Sequence, residues 1–98
     1  MQLIQQMKKV SVILSNDEYE TIKSCFSQQN NFNYLFRQEN LFNQDGEVEL
    51  SIPLWQFDNF MIGLVEARRA KGTINSRYTN FGHKVDLIID RLTTQFYG

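Results

Sequence analysis

The chain has little of what builds most reactive or cross-linked sites. It holds one cysteine, one histidine and one proline in 98 residues, with five glycines. A single Cys25 excludes an internal disulfide and a thiolate-based zinc site, because each needs more than one thiol. A free thiol suits a reducing compartment, and the expected location is the cytoplasm. Scarce proline and glycine argue against a disordered or linker-like chain. No run approaches the ~18 consecutive apolar residues of a membrane-spanning helix. The opening stretch "MQLIQQMKKV" has its lysines after its few apolar residues, the reverse of a secretory leader. It is expected to be a loose arm of about eight residues at the start of one compact domain, residues 1–98.

An excess of positive charge is also missing. Ten Lys and Arg stand against eleven Asp and Glu, for a net charge of −1. A dedicated nucleic-acid domain normally reads as basic. The charge is uneven, however. Residues 1–50 carry four basic and seven acidic residues, whereas residues 51–98 carry six and four.

Aromatic residues are abundant, with eight Phe, four Tyr and one Trp. The apolar pattern around them predicts α+β structure. "KVSVILS" alternates Val10, Val12 and Leu14 against Ser11, Ile13 and Ser15, which reads as a strand. Ser15 with Glu18 three residues later forms a capping-box signature, and Asp17 and Glu18 suit the positive end of a helix. Tyr19, Ile22 and Phe26 then mark one helical face, ending near 28–31.

"EVELSI" alternates Val48, Leu50 and Ile52 in the same way. Pro53 is expected in the first helical turn, where its missing N–H is not needed. An offset of 38 residues lays Val10, Val12, Leu14, Tyr19, Ile22 and Phe26 onto Val48, Leu50, Ile52, Phe57, Phe60 and Leu64. This is a weak strand–helix repeat, of a kind that any strand running into an amphipathic helix would produce. Between the units, nine of the 19 residues 28–46 are Asn or Gln. Phe32, Tyr34 and Phe36 alternate there with polar residues, which favours a strand over a short helix through Tyr34, Leu35, Gln38, Leu41 and Phe42. Asp45-Gly46 marks a turn.

Tyr78, Phe81, Val85, Ile88 and Leu92 follow a 3-4-3-4 spacing, the apolar stripe of a helix over 76–96 with Asn75 or Ser76 as N-cap. Gly72 is expected to end the helix before it. The fold that follows is a small antiparallel sheet of two or three strands packed against three helices, in the order β-α-β-β-α-α.

The helix over 54–71 is apolar on more than one side. Leu54, Phe57, Phe60, Met61, Leu64 and Val65 fill one arc. Trp55 and Ile62 stand on the other side, one heptad apart. Either the rest of the chain covers this second side, or Trp55 and Ile62 form an interface with a partner or a second copy; Trp is a favoured anchor for such contacts.

The stretch 65–84 holds five of the ten cations: Arg68, Arg69, Lys71, Arg77 and Lys84. Arg68 projects into the apolar arc, so it either snorkels to water or is held by a carboxylate. Arg69 is placed to pair with Glu66, and cations in a last helical turn suit the negative end of the helix dipole. The alternative is a contact for nucleic acid or another anion.

Reactive constellations are weak. His83 with Asp86 and Asp90 falls short of the four ligands of structural zinc. Glu47 and Glu49 lie on a polar strand face, with nothing to separate their pKa values for acid–base work. Cys25 sits at the margin of an apolar helical face, where packing is its expected role. No catalytic, cofactor or metal residues are assigned. The sequence therefore suggests a non-enzymatic protein–protein interaction module: an adaptor, an inhibitor of the kind carried by phages and mobile elements, or an accessory factor. It is expected to be homodimeric through Trp55 and Ile62, with no membrane contact. The alternative is a nucleic-acid-binding regulator using the Arg68–Lys84 region.

Overall fold

The computed structural model of the chain describes residues 8–27, 30–37 and 45–98. The fold is α+β. Strand β1 (Lys9–Leu14) leads into helix α1 (Asn16–Cys25), followed by a 3-10 helix (Asn30–Phe36). Strand β2 (Val48–Pro53) runs directly into helix α2 (Leu54–Lys71). The two-residue strands β3 (Thr73–Ile74) and β4 (Arg77–Tyr78) then precede helix α3 (Asn80–Phe96). Residues 1–7 of the expected arm, and residues 28–29 and 38–44 of the Asn/Gln-rich segment, lie outside the described residues.

β1 and β2 pair antiparallel. Val12 faces Leu50, Val10 faces Ile52 and Leu14 faces Val48. This register is symmetric under the 38-residue offset: Val12 pairs with its own equivalent, and Val10 pairs with the equivalent of Leu14. The two paired strands are thus related by a local twofold through the Val12–Leu50 pair. A period of two residues puts Val12, Leu14, Val48, Leu50 and Ile52 on one face, where all are fully buried. Both helices of the repeat pack there, and their matching residues Tyr19, Ile22, Phe26, Phe57, Phe60 and Leu64 all join the core. The other face carries Lys9, Ser11 and Glu49 to solvent.

The start of α1 is set by the expected capping box. The Glu18 amide donates to Ser15 Oγ at 3.1 Å, and the Ser15 amide donates to Glu18 Oε1 at 2.9 Å. Glu18 Oε1 also accepts from Arg91 Nη2 at 2.9 Å, which ties this helix end to α3. The helix stops at Cys25, earlier than expected, with Phe26 as its C-cap.

The strand expected through Phe32, Tyr34 and Phe36 is instead the 3-10 helix. At three residues per turn, Phe32 and Leu35 fall on one side, and both are buried. Phe32 packs on Phe26 with ring centroids 4.7 Å apart, and on Phe60 at 6.3 Å. Gln56 of α2 anchors this segment: it accepts a hydrogen bond from the Tyr34 hydroxyl, and its Nε2 donates to the Asn31 carbonyl at 3.5 Å.

Pro53 occupies the N-cap of α2, one place before its first helical residue. Gly63 lies midway along α2. A Cβ there would stand 2.4 Å from the Phe26 ring, so the missing side chain is what admits that ring.

The last helix begins later than the sequence stripe suggests. Asn75 and Ser76 are not caps; they have φ values of 52° and 64° and form the two-residue loop of the β3–β4 hairpin. A pair of left-handed residues is what a tight hairpin turn of this hand requires. Thr79 is the N-cap, accepting from the Gly82 amide at 3.1 Å. Tyr78 therefore sits in β4, 40% exposed, rather than on the helical stripe. Val85, Ile88 and Leu92 of that stripe are buried. Gly72 ends α2 as expected, although through close contact with Gly82 of α3 rather than a left-handed conformation.

A candidate interaction face on helix α2

α2 lies between the 3-10 helix on one flank and α3 on the other. Its inner arc, with Phe57, Phe60, Met61, Leu64 and Ala67, is buried. The outer side is not. Trp55 is 60% exposed and Ile62 53% exposed. Leu54 and Val65, which the sequence placed on the inner arc, lie at its borders and are 45% and 40% exposed. A large apolar surface left in water in this way costs free energy of about 25 cal/mol per Å².

Two open grooves flank the ridge. The first, about 620 Å³, runs between α2 and α3 and is lined by Met61, Ile62, Val65, Tyr78, Ile89 and Tyr97, with Arg68 and Arg69 at its edge. The second, about 730 Å³, lies toward the 3-10 helix and includes Phe32, Tyr34, Trp55, Asn59 and Ile62. Ile62 and Glu66 border both. The exposed aromatics Tyr34, Tyr78 and Tyr97 therefore extend the Trp55–Ile62 ridge into one broad amphipathic surface.

The rim is fixed by contacts between elements. The Tyr97 hydroxyl donates to Asp58 Oδ1, and the Tyr97 ring stacks on Phe57 with centroids 5.9 Å apart. Desolvation, with the Asp58 carboxylate beside it, pushes the Tyr97 phenol up to about 12, so it remains a donor at neutral pH. Phe96 meets Phe57 at 5.1 Å, and together these contacts latch the end of α3 to the start of α2.

The five cations do not converge. Arg68 is half-buried and bound to Asp86, Nη1 to Oδ1 at 2.6 Å, with its guanidinium 5.7 Å from the centre of the Tyr78 ring. This is the carboxylate-held alternative. Lys71 reaches back to α1 and donates to the Ser24 carbonyl at 3.3 Å and Ser27 Oγ at 3.4 Å. Lys84 pairs with Asp17 at 3.2 Å. The expected Arg69–Glu66 pair is not among the ion pairs of the described residues. Arg69 and Arg77 are exposed, the first on the α2 ridge and the second in the hairpin.

Asp86 is engaged with Arg68, and the exposed His83 meets the Tyr78 ring in a T-shaped contact with centroids 5.5 Å apart. No group of three His, Cys, Asp or Glu side chains among the described residues is placed to hold a metal ion. Cys25 is buried, and desolvation pushes its thiol up to about 11. Among the described residues no helix is long and apolar enough to cross a membrane.

Sequence periodicity singled out Trp55 and Ile62. It missed Asp58, Val65, Tyr34, Tyr78 and Tyr97, most of which reach the face from other elements. No protein-family model matches the chain, and no curated protein or solved structure shows significant similarity to it.

Proposed function

We propose that this chain is a small non-enzymatic protein–protein interaction module, an adaptor, inhibitor or accessory factor, whose contact surface is the outer face of α2 and which works as a homodimer. The observation that carries this reading is the exposure of Trp55 and Ile62 on one ridge, with Val65 beside them, although the domain has a complete core beneath. Small proteins rarely keep contiguous apolar surface in water without using it. An aromatic anchor flanked by tyrosines matches the make-up of binding hot spots.

Nucleic-acid binding through Arg68, Arg69, Lys71, Arg77 and Lys84 ranks below it. Three of these side chains are engaged within the domain, and the other two lie on different elements.

Light scattering of the wild type and Trp55→Glu at several concentrations tests the proposal. A dimeric wild type and a folded monomeric variant are expected, because the carboxylate would be buried unpaired in an apolar seam. A wild type that is monomeric throughout would overturn the homodimer.

A further inference from the structure

The charges on the outer face of α2 discriminate between ways of packing it, centred on Ile62, against a second copy of itself. Trp55, Ile62 and Arg69 are spaced by heptads along the ridge. Asp58 and Val65, also a heptad apart, lie on the flank toward α3, where Asp58 meets Tyr97 and Val65 lines the groove, while Asn59 lines the opposite groove and Glu66 borders both. The apolar continuation of Ile62 is therefore Val65 rather than Glu66, and the seam runs through Trp55, Asp58, Ile62, Val65 and Arg69.

Three twofold arrangements set Ile62 against the partner's Ile62 or Val65. A parallel pair sets Asp58 against the partner's Asp58 and Arg69 against the partner's Arg69. An antiparallel pair with Ile62 on the axis sets Asp58 against the partner's Glu66. Both oppose like charges, which is unfavourable. An antiparallel pair with the axis between Ile62 and Val65 sets Ile62 against the partner's Val65 and Asp58 against the partner's Arg69. Symmetry makes each of these contacts twice.

Resting on the homodimer reading, we infer that two chains associate through antiparallel α2 helices in this last register, with Ile62 on the partner's Val65 and Asp58 bound to the partner's Arg69. Arg69 has no ion-pair partner among the described residues. Asp58 uses Oδ1 to accept from Tyr97, and a carboxylate has a second oxygen for a guanidinium. Trp55, one turn before Asp58, lies over the last turn of the partner's helix, so the partner's Arg69 sits between an indole face and a carboxylate.

Charge exchange and cross-linking test the register. Asp58→Arg or Arg69→Asp alone opposes like charges at two symmetric places and should weaken the dimer by about tenfold or more. Asp58→Arg combined with Arg69→Asp should recover most of that loss, with circular dichroism checking that each variant is folded. Oxidation of a mixture of Ile62→Cys and Val65→Cys should give the mixed disulfide dimer, with neither variant cross-linking efficiently alone. The buried native Cys25 leaves the background low.

Rescue by the double exchange together with the mixed cross-link supports the inference. A wild-type dimer that Trp55→Glu dissociates, but with no rescue and with Ile62→Cys cross-linking to itself, overturns the register and leaves the interface standing. A monomeric wild type overturns both.

Discussion

The carbonyl oxygen of Gly72 lies 2.0 Å from the place a Cβ on Gly82 would occupy. The end of α2 and the start of α3 therefore touch backbone to backbone. The same carbonyl accepts the Thr79 amide at 2.8 Å, which closes the β3–β4 hairpin between the two helices. Gly82→Ala has no flexible side chain to displace and must push two helices apart. It should cost about 3 kcal/mol, the upper end for overpacking. Gly63→Ala meets the Phe26 ring instead, and the gain in helix propensity partly offsets that strain; it should cost about 1 kcal/mol. Denaturant midpoints of the two variants check the order, and a neutral Gly82→Ala would contradict so close a crossing.

The core under the interaction face is shared by α2 and α3. Leu64 is fully buried and Ile88 3% exposed. Leu64→Ala and Ile88→Ala should each destabilise the fold by about 2–5 kcal/mol, as buried large-to-small changes do. Equilibrium unfolding in urea reads the loss, and two midpoints equal to wild type would refute this helical packing.

Cys25 gives the domain a pH dependence on the alkaline side. Its thiol ionises near 9.0 when free and about 11 in the fold. The folded state thus holds its proton more tightly, so this contribution is complete below pH 9.0 and is lost as the pH rises through about 11. The loss is on the order of 2 kcal/mol. Comparing wild type with Cys25→Ala between these limits isolates it: the stability difference should shift toward the variant as pH rises. Thiol alkylation of the native protein should also be slow at pH 8, and rapid labelling there would show the site to be open.

Arg68, Lys71 and Lys84 should behave as ties within the domain, and the five basic residues together should not form a phosphate-binding surface. No retardation of duplex DNA or structured RNA is expected at micromolar protein and low salt. Binding that weakens steeply with salt, and that vanishes when Arg68, Arg69, Lys71 and Arg77 are all neutralised, would reverse the ranking of the two functions, because released counterions give phosphate contacts that salt slope.

Gln56 and Phe32 mark where sequence periodicity stops being informative. The alternation of Phe32, Tyr34 and Phe36 has the period of a strand, but this segment is a 3-10 helix whose buried pair is Phe32 and Leu35. A short apolar run fits more than one period, and here the rings of Phe26 and Phe60 and the hydrogen bonds to Gln56 decide between them. In the same way, the left-handed pair Asn75–Ser76 reads as well for a helix cap as for a hairpin loop. The Gly72–Gly82 contact and the Thr79 cap resolve it.

What the sequence determined by itself is what short-range physics can determine. The Ser15–Glu18 box fixes a helix start through bonds spanning three residues. The alternation in β1 and β2 fixes which side chains face inward, and a heptad places Trp55 and Ile62 on one ridge. Only the tertiary structure decided that the rest of the domain leaves this ridge uncovered, that Arg68 is bound to Asp86, and that Tyr97 latches onto Asp58. Those outcomes depend on where distant elements come to rest, because burial and ion pairing belong to packed neighbours and not to the order of residues along one helix.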